Sequence, residues 1–263
     1  MSLKIILGYC KKAITRPEKL RFPIPMIRTF CRLPIIFDCL SLFFQSRDIN
    51  RVKKITNEVD GDSHFTNVKT YNAEKTKSKL ITTTRRAEIL YQILYLYSSR
   101  NLKNSKLLII GPRNIQELFI AWTYGFSWKN INAIDLYSTN RKIKEMNMED
   151  LEYSDGVYDC VTMSNTLAYA KDINKALSEA SRVLKPGGQF VFGATYDPEN
   201  KHLWPETDKT GNEIHSMLNK LSLSIFTCIS EDKINATNAR QTSHIIGCRK
   251  KISDDEFLDP FYL

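Results

Sequence analysis

The chain has 263 residues, of which 42% are hydrophobic and 25% charged, a composition typical of a globular protein rather than a disordered one. No apolar run approaches the roughly 20 residues of a membrane-spanning helix, and the start, "MSLKIILGYCKK", lacks the length and cleavage site of a secretory signal. The six cysteines form neither a C-x-x-C pair nor a Cys/His cluster, so no metal site is expected. We therefore expect a cytoplasmic protein with one sizeable core and an appended segment.

The positive charge is concentrated at the N-terminus. Residues 1–54 hold twelve of the 38 Lys and Arg residues and three of the 29 acidic residues, so this segment carries the whole net charge of +9. Pro17, Pro23, Pro25 and Pro34 prevent one long helix before about residue 35. The basic residues are interleaved with Phe, Ile and Leu, a pattern with two interpretations. Either the segment binds an anionic membrane surface or partner, which would make the protein peripheral at a membrane, or it packs on the protein's own core.

The segments that follow change from polar to periodic. Residues 56–80 are polar and poor in strand-forming residues, which indicates a linker. In "TTTRRAEILYQILYLYSS" the apolar residues recur at helical spacing, which predicts a helix with one buried stripe. The residues of this stripe are Ala87, Leu90, Tyr91, Leu94 and Tyr97.

From residue 106 onwards, short apolar strands alternate with helices, which is typical of a mostly parallel sheet with helices on both faces. The predicted strands lie in "KLLIIG", "NINAIDL", "YDCVTMS" and "GQFVFGA", with a weaker strand near residues 143–148, and helices are predicted near 115–124 and 173–184. The last strands, "LSLSIFTCIS" and "TSHIIGCRK", lack an amphipathic helix between them, so we expect antiparallel neighbours at a sheet edge. The domains are then an extension and linker (1–80), a folded domain (81–250) and an acidic aromatic tail (251–263).

Three predicted strands carry glycine or polar residues at their carboxyl ends, where ligands bind in an open α/β sheet. Gly111 follows the first strand, Asp135 ends the second, and Ser164 and Asn165 end the fourth. Asp135 follows Gly111 by 24 residues, about the spacing at which an acid accepts hydrogen bonds from the ribose hydroxyls of a nucleotide-type cofactor. The other interpretation is a carboxylate that is simply exposed at the end of a strand.

Residues 146–192, "MNMEDLEYSDGVYDCVTMSNTLAYAKDINKALSEASRVLKPGGQFVF", resemble the central block of the class I S-adenosylmethionine-dependent methyltransferases. Members commonly have a segment close to G-D-A-E-D-L-P-F-P-D-G-S-F-D-V-V, then a strand ending in S-x-x-L-E-H, then R-V-L-K-P-G-G. The agreement is closest in "SRVLKPGGQFVF", with Gly187 and Gly188 in the turn between a helix and a strand. The resemblance covers about residues 80–250 and implies a Rossmann-like methyltransferase sheet and S-adenosyl-L-methionine as cofactor.

The resemblance also implies roles for individual residues. Asp135 would bind the ribose, Leu136 and Met148 would pack on the adenine, and Met148 would present its backbone. Asn147 stands where an acid often faces the adenine amino group, and its amide oxygen can still accept a hydrogen bond. Asn165 would line the methionine end of the cofactor. For Leu136 and Met148 taken alone, ordinary core packing is the other interpretation.

The loop after the first strand departs from the family pattern. Relatives have an acid followed by Gly-x-Gly-x-Gly, whereas this chain has Ile109, Gly111, Arg113 and Ile115 at those positions. Arg113 has three interpretations: it pairs with the methionine carboxylate of the cofactor, it bridges to an acid of the domain, or it fills the pocket and prevents binding. The helix after the loop is well specified, because Asn114 and Glu117 have the spacing of a reciprocal capping box.

The catalytic residues are poorly determined by the sequence. Ala168 and Tyr169 replace the Glu-His pair that often follows the fourth strand in the family. Methyl transfer depends chiefly on in-line placement of the acceptor, and a hydroxyl acceptor also needs a general base. Tyr169, Asp197 and His202 are the candidates, although a solvated loop explains Asp197 and His202 equally well.

The sequence as a whole predicts an S-adenosylmethionine-dependent methyltransferase for a small-molecule, carbohydrate or lipid-linked acceptor, with nucleic acid a less favoured partner. The lost glycines and the lost Glu-His pair favour an alternative, an inactive methyltransferase-like binding or scaffold protein. A nicotinamide-dependent oxidoreductase is disfavoured, because the chain has no G-x-G-x-x-G motif.

Overall fold

The structure is a computed structural model that describes residues 24–42, 66, 67, 70, 85–98, 101–137, 140–196, 212–234 and 240–252. Its strands are β1 Leu107–Ile110, β2 Ile131–Asp135, β3 Ile143–Glu145, β4 Tyr158–Ser164, β5 Leu184–Tyr196, β6 Leu223–Ile234 and β7 Arg240–Lys250. Its helices are α1 Ile24–Cys31, α2 Arg85–Tyr97, α3 Ile115–Thr123, α4 Ile173–Val183 and α5 Asn212–Lys220, with 3-10 turns at Trp128–Asn130 and Leu167–Tyr169. Residues 34–42 are also helical.

The seven strands form one sheet in the order β3-β2-β1-β4-β5-β7-β6. The first five of these strands pair in parallel, while β7 runs antiparallel to both β5 and β6. The predicted fold class is therefore confirmed: a mostly parallel sheet with an antiparallel C-terminal edge. The strand order reverses between β1 and β4, and this reversal creates the crevice in which α/β proteins of this type bind ligands.

Helices cover both faces of the sheet because successive side chains of the buried strands point to opposite faces. In β1, Leu107 and Ile109 pack in a cluster with α2 and α3. Leu108 and Ile110 pack on the other face in a cluster with α4 and α5. All four residues of β1 are buried, so this strand lies at the centre of both clusters.

The predicted stripe of α2 is confirmed for four of its five residues. Ala87, Leu90, Tyr91 and Leu94 are buried, but the prediction for Tyr97 was wrong, because this side chain is 44% exposed. Tyr97 ends the helix, and its ring contacts Phe226 of the edge strand β6, with ring centroids 4.8 Å apart. Its position at the sheet edge explains why it is not covered.

The turn predicted at Gly187 and Gly188 is present at the start of β5. Tyr158 of β4 pairs with Leu184, and Cys160 pairs with Gln189, so four residues of β5 loop out between these pairs. Gly187 has a φ of +71°, a left-handed backbone conformation that residues other than glycine rarely adopt. Helix α5, by contrast, was not predicted. It buries Ile214 and Leu218, and two apolar residues one turn apart are too weak a signal to indicate a helix.

The N-terminal helices pack on the domain through α3. Arg28 donates hydrogen bonds to the carbonyls of Gly125 and Phe126, each 3.0 Å long, and its guanidinium lies over Trp122. Arg32 donates to the carbonyl of Thr123. Cations beside the last carbonyls of a helix are stabilised by its dipole. These contacts support the interpretation that part of the basic segment packs on its own domain, and the break after Cys31 fits the predicted effect of Pro34.

Candidate functional site

The carboxyl ends of β1, β2 and β4 lie side by side, and the predicted residues Gly111, Asp135 and Asn165 follow or end these strands. The Gly111 N–H donates to the carbonyl of Ile134 over 2.8 Å, which continues the β1–β2 pairing into the loop. Asn165 has a φ of +58°, so the chain turns sharply where β4 ends. The structure thus brings these three predicted residues to one edge of the sheet.

Gly111 lets the loops after β1 and β4 touch. Its φ is +71°, and a Cβ built on it would overlap the side chain of Thr166. The Thr166 hydroxyl donates to the carbonyl of Ile110 over 3.1 Å, which fixes this contact. The retained glycine of the family loop is therefore required both by its backbone conformation and by the neighbouring chain.

Arg113 stands where the family pattern has a glycine, and its backbone is left-handed. Its φ is +53°, a left-handed value that is uncommon for a residue with a side chain. Its N–H donates to Oδ2 of Asp135 over 3.0 Å, so the loop is tied to the end of β2. The side chain is half-buried, and its charge acts on the neighbouring carboxyls Asp135 and Glu117, because it lowers the pKa of both.

Asp135 is half-buried and bonded to the backbone on both oxygens, because Oδ1 accepts the N–H of Leu136 over 2.7 Å and Oδ2 that of Arg113. Burial raises its pKa to about 6, against the opposing effect of backbone hydrogen bonds from Arg113, Leu136 and Tyr137. A carboxylate offers about four acceptor positions, so Asp135 retains capacity for one further donor, such as a ribose hydroxyl. Leu136, the next residue, is half-buried at the same edge.

Glu117 is a buried carboxyl that the sequence prediction assigned to helix capping alone. Asn114 caps α3 as predicted, since its side chain accepts the N–H of Gln116 over 2.9 Å. The predicted reciprocal hydrogen bond, in which Glu117 accepts the N–H of Asn114, was wrong. The Asn114 N–H donates to the carbonyl of Pro112 instead. Glu117 is 5% exposed, and among the described residues its Oε1 has no hydrogen-bond partner.

The electrostatic surroundings of Glu117 favour its protonated form. Burial, followed by the charge of Asp135, raises its pKa to about 8, while Arg113 acts in the opposite direction. All nine residues of α3 are buried, so a carboxyl in this helix is largely removed from water. That signal was present in the sequence, where an acid interrupts the apolar run "IQELFIAW".

The residues predicted beside the adenine lie in the loop after β3. The Asn147 side chain accepts the N–H of Glu149 over 3.0 Å and so stabilises its own turn. Met148 is 5% exposed and belongs to the core cluster on the α4 face, as its interpretation as an ordinary core residue predicts. Their roles toward a cofactor stay predictions.

Of the three catalytic candidates, the structure describes only Tyr169, because Asp197 and His202 lie outside the described residues. Tyr169 ends the 3-10 turn after β4 and is half-buried against the α4 cluster. Asn165 lies close by, and its amide oxygen would be 3.3 Å from a Cβ on Gly193 of β5. Over the described ranges, no group of three His, Cys, Asp or Glu side chains is arranged to hold a metal ion, and no helix is long and apolar enough to cross a membrane.

The arrangement fits an adenosyl cofactor with an amino-acid end. Asp135 offers an acceptor position for a ribose hydroxyl at the end of β2, and Gly111 carries no side chain where the β1 loop begins. The first N–H groups of α3 begin directly after this loop and favour an anionic group. Arg113 adds a positive charge at the same edge, beside the carboxyl of Glu117, whose surroundings favour the protonated form.

Comparisons with known proteins identify similar methyltransferases. Residues 126–192 match the protein family described as "Methyltransferase domain". Sarcosine/dimethylglycine N-methyltransferase of Halorhodospira halochloris is 46% identical over 44 residues, 17% of this chain and 16% of that protein. The ubiquinone/menaquinone biosynthesis C-methyltransferase UbiE of Brucella canis is 44% identical over 52 residues, 20% of this chain and 19% of that protein. The matched segment thus spans about a fifth of the length of these relatives.

The fold extends the likeness well beyond that segment. N-methyltransferase NodS from Bradyrhizobium japonicum, solved in complex with S-adenosyl-L-homocysteine, has a TM-score of 0.51 and 16% identity, covering 72% of this chain and 99% of that chain. At this identity the match concerns the fold alone. The described domain shares a Rossmann-like fold with this methyltransferase, and residues 126–192 carry the sequence pattern of the methyltransferase domain.

Proposed function

We propose that this protein is an S-adenosylmethionine-dependent methyltransferase. The observation that carries the proposal is the position of Asp135, whose carboxylate lies at the end of β2, bonded to the β1 loop and with an acceptor position remaining beside its three backbone donors. Bound there, the cofactor supplies a methyl group on a sulfonium. The residues of this chain hold the ribose, orient the amino-acid end and position the acceptor.

The acceptor is proposed to be a small-molecule, carbohydrate or lipid-linked compound. The relatives named above act through N-methylation and through C-methylation in quinone biosynthesis, so similarity to them supports methyl transfer without selecting one acceptor. If the acceptor is a hydroxyl, Tyr169 is the described candidate for the general base, since it follows β4 at the edge that carries Asn165.

Thermal unfolding with and without ligand tests the proposed function. A ligand that binds only the folded protein stabilises it by about 2.7 kcal/mol at a concentration one hundred times its Kd. S-adenosylhomocysteine is therefore expected to raise the Tm by several degrees, and NADH at the same concentration is expected to leave it unchanged. An unchanged Tm with S-adenosylhomocysteine at millimolar concentration would support the inactive binding or scaffold protein instead.

We further propose that the N-terminal helices hold the enzyme at an anionic lipid surface. On the side of α1 away from the domain, Met26 is 63% exposed and Phe30 38%, and in the helix over residues 34–42 Ile35 is 79% exposed. Exposed apolar side chains that occur together are typical of an interaction surface. The surrounding sequence carries the whole net charge of +9, and each Lys or Arg near an anionic bilayer contributes roughly 1 kcal/mol.

Sedimentation of the full chain with vesicles tests this surface. We expect binding to vesicles of phosphatidylcholine with phosphatidylglycerol, weaker binding in high salt, and little binding to phosphatidylcholine alone. The double variant Met26→Asp, Ile35→Asp is expected to lose about nine-tenths of the binding, since a charge is costly at an apolar surface. Leu96→Asp is the control, because Leu96 is 75% exposed on α2, outside the N-terminal segment. Equal sedimentation of both variants would remove the membrane proposal.

A further inference from the structure

Glu117 has no role in the proposed function so far, although its position beside the loop is unusual. It is 5% exposed, and among the described residues its Oε1 has no hydrogen-bond partner. A buried polar group without a partner costs free energy. Such a group persists where a ligand or another function requires it.

Three groups face Glu117 from the elements around it. Tyr91 of α2 lies on one side, close enough for the charge of Glu117 to raise its pKa, and its hydroxyl lies 3.4 Å from Oγ1 of Thr162 in β4. Asp135 of β2 and Arg113 of the loop act on Glu117 from the other side. Glu117 thus lies between the buried face of the sheet and the edge that carries the cofactor site.

This position corresponds to the side chain that the loop has lost. The family pattern has an acid two residues before the first loop glycine, where this chain has Ile109. Ile109 pairs with Thr162 in the sheet and packs in the same cluster as Tyr91. Tyr91 contacts Thr162, and the charge of Glu117 raises the pKa of Tyr91. The carboxyl of Glu117 therefore approaches the side of the sheet on which an acid at position 109 would lie.

We infer that Glu117 replaces the missing loop acid and binds the ammonium group at the amino-acid end of the cofactor. That end is a zwitterion, with one ammonium and one carboxylate. Arg113 supplies a cation for the carboxylate, the carboxyl of Glu117 becomes the anion for the ammonium when the cofactor binds, and Asp135 remains available for the ribose. A carboxylate that accepts from an ammonium is among the stronger hydrogen-bonded pairs in proteins. The inference rests on the proposed function, because it assumes that an adenosyl cofactor binds at this edge.

Two ligands that differ only at the amino-acid end test the inference. S-adenosylhomocysteine carries the ammonium, whereas 5′-methylthioadenosine has the same adenosine and lacks the amino acid. In calorimetric titrations, Glu117→Gln is expected to weaken the binding of S-adenosylhomocysteine at least about tenfold, because a hydrogen bond between charged groups is lost. It is expected to change the affinity for 5′-methylthioadenosine by less than about threefold, since no contact to the adenosine is removed. The exposed Glu152→Gln is the matched control and should change neither affinity.

The outcomes separate this inference from the proposed function. If Glu117→Gln lowers the affinity for both ligands equally, Glu117 only supports the fold of the loop. If both affinities are unchanged, Glu117 does not bind the cofactor. Either result overturns the inference and leaves the proposed function intact. If the wild-type protein binds neither S-adenosylmethionine nor S-adenosylhomocysteine, the proposed function itself fails.

Proton release gives a second readout that a structural role would not produce. In the free protein, burial keeps the pKa of Glu117 at about 8, so the group is mostly protonated at pH 7. An ammonium partner favours the carboxylate, so S-adenosylhomocysteine is expected to release up to about one proton, seen as a dependence of the binding heat on the buffer. Glu117→Gln should abolish most of this release, and an unchanged release would contradict the inference.

Discussion

Replacing Gly111 by alanine is expected to destabilise the protein by about 2–5 kcal/mol and to abolish cofactor binding. Two costs add at this position. The left-handed φ of +71° disfavours a Cβ, and the added Cβ would overlap Thr166 in the loop after β4. Relief of the overlap requires the two loops to separate at the edge where the cofactor is proposed to bind. Chemical denaturation gives the change in the free energy of unfolding.

Gly156→Ala is the matched control for Gly111→Ala. Gly156 also has a left-handed φ, +61°, but a Cβ there meets only the Cα of Lys185 at 4.0 Å. The expected cost is therefore the conformational part alone, about 1–2 kcal/mol. If both variants lose the same stability, the contact between Gly111 and Thr166 is not restrictive, and the account of the loop is wrong.

Replacing Asp135 by asparagine is expected to weaken the binding of S-adenosylhomocysteine by about ten- to a hundredfold, because hydrogen bonding from a ribose to a charged acceptor is lost. Asparagine retains one acceptor oxygen for the backbone of the loop, so the variant should fold. Asp150→Asn, an exposed substitution in the loop after β3, is the control. Calorimetric titration of both variants measures the difference. Unchanged affinity in Asp135→Asn would refute the ribose assignment while leaving the enzyme class open.

The same carboxylate predicts a pH dependence. The pKa of Asp135 is raised from 3.8 to about 6 in the folded protein, so its ionisation opposes folding. The stability it contributes is complete below about pH 4 and is lost as the pH rises through 6. Asp135→Asn is therefore expected to reduce the loss of stability between pH 4 and 7. Ligand affinity should change in the opposite direction, since hydroxyl donors bind the ionised carboxylate, and so wild-type affinity should fall below pH 6.

Much of the fold was predictable because strands buried on both faces have a distinctive sequence. "KLLIIG" and "YDCVTMS" are short apolar runs that end in glycine or polar residues, and both became central strands. The start of α3 followed from Asn114, whose capping preference is local. Tyr97 was misplaced because helical periodicity does not show where the covering sheet ends.

The candidate site was only partly predictable, for a physical reason. Spacing along the chain placed Asp135 at the correct edge, because strand ends are set by local sequence. An acid within the apolar run of α3 indicates a buried carboxyl, but the partners that Glu117 lacks depend on packing between α3, α2 and the sheet, which no local pattern records. The sequence predicted that Glu117 accepts the N–H of Asn114, but this N–H donates to the carbonyl of Pro112.

The backbone of Arg113 explains how the loop tolerates an arginine at this position. Its backbone, with a φ of +53°, follows the course that a glycine would take, and its N–H holds Asp135. The substitution therefore keeps the loop attached to β2. Of the three interpretations of its side chain, pairing with the carboxylate of the cofactor is the one that complements the proposed pairing of Glu117 with the ammonium.

The central claim is that the edge formed by β1, β2 and β4 binds an adenosyl cofactor. Isothermal titration of the unmodified 263-residue chain with S-adenosylhomocysteine tests it most directly. The account predicts one site per chain with a Kd in the micromolar range, that is, a binding free energy of about 5–8 kcal/mol. No binding at about 1 mM ligand, which limits the binding free energy to less than about 4 kcal/mol, would contradict the account.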